Sequence, residues 1–270
     1  MKEYLELVDR VLTDGVRKKN RTGIDTISVF AESYRVDLAG GFPLLTTKRV
    51  NFNAMLREVL WYLSGEDHIR NLRQHTRIWD AWADQDGNLD TAYGRYWRHF
   101  PSAQRDPATG QYVVTEIDQI GKVVELLKTE PTSRRMVVTA WEPGNAFGSK
   151  LPPCHYTFVF NVEGNRLNCH LSQRSGDIAI GIPFNLAAYS LLTHILAREA
   201  GLEPGIFAHT IVDAHVYVNH LDGLREQLQR QPRALPRLEI AQRKIDELEY
   251  EDFRIVDYDP YPAIKFEVAV

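Results

Sequence analysis

The sequence predicts an α+β fold: a single domain, residues 1–270, built on a large mixed, mostly antiparallel sheet flanked by helices. Two observations carry this. Helical and strand periodicities alternate without the strict strand-helix-strand rhythm of a parallel α/β sheet. No linker, repeat or low-complexity tract divides the 270 residues, and apolar segments continue to Val270. A chain of this length can bury a large core.

Residues 2–14 read as an amphipathic helix, and "TISVFAESYRVDL" has the β-branched and aromatic content of one long strand or a strand pair. Phe52, Met55, Leu56, Val59, Leu60 and Leu63 recur at helical spacing and predict a helix with one core-facing stripe. "IWDAWADQDGNLDTAYGRYW" reads as a loop, with a turn signal at "DQDGN". Residues 117–129 predict a helix stopped by Pro131, and "RRMVVTAW" a strand. The remainder reads as two long strands around "EGN", a buried helix from about 186 to 199, a strand near 207–212 and a helix from about 215 to 230. Terminal strands are expected near 237–242 and 264–270.

Thirty-two Lys and Arg against 36 Asp and Glu give a net charge of −4, with no dense basic run. A polyanion is thereby disfavoured as the main ligand, while an arginine pocket for a single phosphate stays open. The N-terminus lacks the apolar core and cleavage site of a signal peptide. The longest apolar stretch, "IPFNLAAYSLLTHILA", contains Asn185, Thr193 and His194 and is too short for a bilayer. A cytoplasmic protein is expected.

Both cysteines fall near the "EGN" turn. If Glu163 faces Asn165 across Gly164, partner numbers sum to 328, which sets Cys154 opposite Arg174 and Cys169 opposite Val159. The cysteines are then about five residues apart along the ladder, on the order of 16 Å, too far for a disulfide. Cys169 suits core packing. Cys154, held by two prolines and placed beside a guanidinium that favours the thiolate, is a candidate nucleophile; a one-residue slip would turn Arg174 away.

Other polar residues each admit two readings. Glu58 has Ala54, Trp61 and Tyr62 as its helical neighbours, so it is either a desolvated acid/base or a surface carboxylate beside a half-exposed Trp. Arg21, Arg134, Arg135 and Arg174 are either phosphate ligands or surface charges. Asn185 either caps a helix or reads a pyrimidine edge with one donor and one acceptor. His215, Tyr217 and His220 match no metal-binding spacing, and hydrogen bonding of His215 and Tyr217 to hydroxyls is the better functional reading.

In this order, "NRTG", "GFPLLTTKR", "REVLWYLSG", "IWDAWAD", "YGRYW", "SRRMVVTAW", "LPPCHYTF", "QRSGD", "GIPFNLAAYSLLTH" and "DAHVYVNH" resemble the folate-dependent thymidylate synthases, from about Tyr4 to Val270. The resemblance implies reductive methylation of dUMP to dTMP, with 5,10-methylenetetrahydrofolate as donor of the carbon and the hydride, released as dihydrofolate, and with no metal. Cys154 would attack uracil C6, making C5 nucleophilic. Asn185 would hold O4 and N3, Glu58 would manage protons through water, and Tyr93 would assist removal of the C5 proton. His155 and Asp177 join this catalytic group.

For the nucleotide, the resemblance implies Arg21, Gln173, Arg174, Ser175, Gly176 and Asp177, with His215 and Tyr217 on the deoxyribose hydroxyl. Arg134 and Arg135 would reach the phosphate from a partner subunit, which implies a homodimer. For the folate it implies Asn51, Trp79, Trp82, Leu151, Asp177, Gly181 and a closing C-terminus that includes Ala269. No membrane and no obligatory nucleic acid are implied.

Departures from the family pattern are Asn51 for a usual His, "LDTAYG" for "LGPVYG", "TIVDAH" for "TGGDTH", and "SGD" for "SCD" or "SAD". None removes a residue assigned to the chemistry. Two competing functions are a pyrimidine-nucleotide hydroxymethylase of the same fold and a non-catalytic nucleotide- or RNA-binding relative. Asn185, in place of the Asp of cytosine-specific relatives, favours uracil; Cys154 and Glu58 favour catalysis.

Overall fold

In the computed structural model, which describes residues 1–268, the N-terminal pattern forms helix α1 (Lys2–Asp14), with Tyr4, Leu7, Val8 and Val11 buried. A short edge strand β1 (Val16–Lys18) leads to β2 (Thr26–Asp37), one long strand. Helix α2 (Phe52–Ser64) starts at Asn51, whose Oδ1 accepts from Ala54 N at 3.1 Å, and stops at Gly65, where φ is 78°. The aromatic-rich stretch is irregular up to a short helix, α3 (Tyr93–Arg98). A hairpin follows, β3 (Phe100–Arg105) and β4 (Tyr112–Ile117), which the sequence pattern does not announce.

Helix α4 (Gln119–Thr129) is capped by Asp118, whose Oδ1 accepts from Gly121 N. Then come β5 (Val137–Thr139), α5 (Pro143–Ala146), β6 (His155–Glu163) and β7 (Arg166–Asp177). The buried helix is α6 (Gly181–Ala200), followed by β8 (Glu203–Tyr217), α7 (Leu221–Leu228), β9 (Arg237–Ile240) and β10 (Phe253–Val256).

Three expectations are corrected. The loop read over residues 78–97 gives way at Tyr93 to helix α3, where Tyr93, Tyr96 and Trp97 are buried at helical spacing. The helix expected from about 215 starts only at Leu221, because His215 and Tyr217 pair with Ser28 and Thr26 of β2 and so stay extended. Residues 264–268 form no strand; β9 pairs with β10 instead. The irregular tail is tied down by side chains: Tyr258 Oη donates to Leu45 O at 2.8 Å, and His220 Nε2 lies 2.8 Å from Glu267 O.

The main sheet has six strands in the order β1-β2-β8-β7-β6-β5. Its neighbours are antiparallel except β7 and β8, which are parallel. Helix α6 packs on β7 and β8, and α1 on β2, over inward rows that include Leu171, Cys169, Phe207 and Ile211. The opposite face carries the cross-strand rows Thr157, Ser172, Thr210 and Val159, His170, Ala208, all half-buried except the exposed His170. Among the described residues, no helix is long and apolar enough to cross a membrane.

Candidate active site

The hairpin register sets the position of the thiol. The turn has two central residues, Gly164 and Asn165, so Glu163 faces Arg166 and partner numbers sum to 329, not 328. Gly164 alone takes a positive φ, 63°, the dihedral a glycine gives most readily. Cys169 therefore opposes Phe160 rather than Val159. A bulge between His155 and Thr157 then absorbs one residue, and His155 opposes Gln173. Arg174 N donates to Cys154 O at 2.9 Å, so the expected Cys154–Arg174 apposition is reached through a different register and a bulge.

Arg174 Nη2 lies 3.5 Å from Cys154 Sγ. The same guanidinium donates to the carbonyls of Pro152 and Pro153 at 2.6 and 2.9 Å. The two prolines thus hold the arginine as well as the cysteine. Burial pushes the Cys154 thiol above its usual range, while Arg174 and Arg21 pull it down without cancelling that effect. The guanidinium acts in the expected direction, but burial wins.

Glu58 is buried, not a surface carboxylate. Trp79 Nε1 donates to its Oε1 at 2.6 Å. Burial raises its pKa to about 7, against the lowering effect of hydrogen bonds from Trp79 and Tyr62. Tyr93 Oη accepts from Cys154 N at 2.7 Å, and its ring stacks on His155 with centroids 3.8 Å apart. Burial, with the adjacent Cys154, pushes the Tyr93 phenol well above its usual range. His155 is held neutral by burial, its pKa lowered to about 3, and its Nδ1 meets Tyr189 Oη at 2.6 Å.

The parallel pair β7 and β8 brings Asp177 beside His215 and Ser175 beside Asp213. Asp177 Oδ1 accepts from Ala179 N and Ile180 N at 2.9 and 3.3 Å, closing the turn into α6. Asn185 lies within α6, four residues beyond its first residue, so its side chain is not the cap. The "NRTGI" loop is held by Asn20, whose Oδ1 accepts from Thr22 N at 2.9 Å, and it presents an exposed Arg21.

These residues line one cleft of about 730 Å³: Cys154, His155, Glu58, Tyr93, Gln173, Arg174, Ser175, Asp177, Asn185, His215, Tyr217 and Arg21. Trp79, Trp82, Leu151 and Gly181 line it too. Others stand apart. Asn51 is occupied as the α2 cap. Arg134 and Arg135 are exposed just before β5, outside the cleft, and no carboxylate among the described residues is within ion-pair distance of them. Ala269 lies outside the described residues. Among the described residues, no three metal-ligating side chains converge.

Gly176 is buried between β8 and α6 and is not part of the cleft lining. A Cβ there would lie 2.6 Å from Ile182 Cδ1 and 3.0 Å from Ile211 Cγ2. The "SGD" and "TIVDAH" departures are therefore linked: Ile211 fills space beside the missing side chain.

The sequence patterns did not single out Phe184, Ile180, Ile78, Lys150 or Val268 as cleft residues. Phe184 and Ile180 flank α6 positions that were singled out, which is the one signal available for them. Val268 arrives from the tail, and no local pattern announces it.

A family model described as "Thymidylate synthase" matches residues 2–270. A protein of Haloferax volcanii named "Thymidylate synthase" is 44% identical across 326 aligned positions, covering 98% of this chain and 95% of that protein.

Proposed function

The chain belongs to the thymidylate synthase family, methyltransferases that convert dUMP to dTMP, and on that premise we propose that Cys154 is its nucleophile and methylenetetrahydrofolate its second substrate. Residues 1–270 act as one catalytic domain in this reading. Cys154 loses its thiol proton to water in the cleft as its Sγ bonds to uracil C6, and the C5–C6 π electrons move towards O4, giving an enolate whose C5 attacks the folate methylene. Asn185 contacts O4 and N3. Glu58, with a pKa of about 7, can both give and take protons near neutral pH. Tyr93, hydrogen-bonded to Cys154 N, serves the loss of the C5 proton.

Loss of that proton expels tetrahydrofolate and leaves an exocyclic methylene. Hydride from the tetrahydrofolate makes the methyl group, and departure of Cys154 Sγ restores the C5–C6 double bond. Trp79, Trp82 and Leu151 supply an apolar wall for the pterin, Gly181 lies beside it, and Asp177 presents a carboxylate. Arg21, Arg174 and Ser175 take the phosphate; Gln173 backs the base, and His215 and Tyr217 take the sugar hydroxyl.

The observation that carries this reading is the convergence of Cys154, a Glu58 tuned to about 7 and Asn185 in one cleft. Arg134 and Arg135 belong in this reading to the partner's phosphate site. Their exposure away from the cleft, with no carboxylate among the described residues within ion-pair distance, leaves them available to a partner's site in a homodimer.

The test mixes the protein with dUMP and methylenetetrahydrofolate and follows dihydrofolate optically. Equal formation of dTMP and dihydrofolate is expected, and Cys154→Ser should abolish both while the chain stays folded. A hydroxymethyl product, dTMP without dihydrofolate, or an active Cys154→Ser variant would overturn the assignment.

A further inference from the structure

A buried hydrogen-bonded chain runs to the cleft from Tyr34 and His209, two residues the proposed chemistry does not use. They are cross-strand partners on β2 and β8, and both are buried. Tyr34 Oη lies 2.9 Å from His209 Nδ1, and His209 Nε2 lies 2.9 Å from Gln173 Oε1. Gln173 Nε2 lies 2.9 Å from Ser175 O and 3.1 Å from Asn185 Oδ1.

One backbone carbonyl fixes every direction in this chain. Ser175 O can only accept, so the Gln173 atom facing it is the NH2 group. Gln173 Oε1 then faces His209, whose Nε2 must carry hydrogen. Burial holds that imidazole neutral, with its pKa lowered to about 3, so Nδ1 is an acceptor and the Tyr34 hydroxyl donates a hydrogen bond to it. At the other end, the Asn185 atom facing the Gln173 NH2 must be its oxygen. That leaves the Asn185 NH2, with no partner among the described residues, and one lone pair of Oδ1.

We propose that Tyr34, His209 and Gln173 form a positioning chain that locks the Asn185 amide in the orientation that pairs with uracil and opposes cytosine. The inference rests on the reading of Asn185 as the pyrimidine contact. Uracil offers an acceptor at O4 and a donor at N3, matching the free NH2 and the Oδ1 lone pair. Cytosine reverses both positions. To accept it, Asn185 would have to turn its NH2 against the Gln173 NH2. Turning Gln173 as well would set its oxygen against Ser175 O, and would force His209 to move its proton to Nδ1 and Tyr34 to turn its hydroxyl. Base selection is thus held two residues behind the base, where a mismatch leaves buried polar groups unpaired.

The test measures binding of dUMP and of dCMP, with kcat and KM for dUMP, in His209→Phe, His209→Gln, Tyr34→Phe and Asn185→Asp. His209→Phe should lower the preference for dUMP over dCMP about tenfold, chiefly by raising KM for dUMP. Tyr34→Phe should lower it about threefold. His209→Gln, which keeps an N–H at the ε position, should restore most of it. A merely structural role would lower thermal stability and leave the preference unchanged, and that result overturns the proposal. If His209→Phe does not fold, an unchanged preference in Tyr34→Phe overturns it. Asn185→Asp separates the two levels: if it fails to shift preference towards dCMP, the reading of Asn185 itself is wrong. If it shifts while the Tyr34 and His209 variants do not, only the positioning chain falls.

Discussion

Replacing Glu58 by Gln should stabilise the protein at alkaline pH while inactivating it. Burial raises the Glu58 pKa from 4.5 to about 7. Below pH 4.5 the carboxyl is protonated in folded and unfolded chains alike. Between there and pH 7 only the folded protein keeps the proton, so the folded state loses about 1.4 kcal/mol per pH unit. Above pH 7 the loss is complete, at roughly 3 kcal/mol. Glutamine carries no such charge and its oxygen can still accept from Trp79 Nε1. Urea denaturation of parent and variant at pH 4.5, 6 and 8 should show a difference growing from near zero to roughly 3 kcal/mol in favour of the variant. A flat difference, or a parent more stable at pH 8, would refute the view that Glu58 is held in a desolvated, functionally tuned state.

Gly176→Ala should destabilise by about 1–3 kcal/mol, since its Cβ would meet Ile182 and Ile211. The Gly176→Ala/Ile211→Ala double variant should lose at least about 0.5 kcal/mol less than the sum of the single changes, and strict additivity in urea melts would deny the link. Alkylation of Cys154 in the ligand-free enzyme should titrate above the ordinary thiol range, and Arg174→Gln should move the midpoint higher still; a midpoint that falls would contradict the guanidinium's role. Mixing Cys154→Ser chains with Arg134→Ala/Arg135→Ala chains should recover about a quarter of parental activity, because half of randomly assembled dimers each hold one complete site. No recovery after verified exchange would remove the shared phosphate pocket.

Much of the fold was legible where the pattern is local. The α2 stripe, the "EGN" hairpin and the buried α6 follow from periodicity and turn chemistry. What failed was long-range. Nothing near His215 tells the chain to remain a strand; the instruction comes from β2, some 190 residues earlier in the chain. The Cys154–Arg174 apposition was drawn from a one-residue turn, and the bulge at Tyr156 that restores it has no sequence signature. Glu58 shows the limit of helix patterns. Its neighbours Trp61 and Tyr62 hint at desolvation, but Trp79, which completes the enclosure, lies on a separate irregular segment.

The electrostatics of the free site bear on when charge is generated. Burial pushes both the Cys154 thiol and Glu58 towards their neutral forms, and the cations Arg174 and Arg21 only partly oppose this at the thiol. A dianionic phosphate drawn to those same arginines weakens their pull on Cys154 further. A site that stored a thiolate would stabilise the ground state and gain nothing at the barrier. In the proposed reaction the thiol gives up its proton only as the C6 bond forms and the negative charge passes to O4, where a fixed Asn185 NH2 would stand. A donor already oriented needs no rearrangement at that moment. The buried chain from Tyr34 through His209 and Gln173 therefore bears on rate as well as base choice, since an amide free to turn would present its oxygen to the developing enolate.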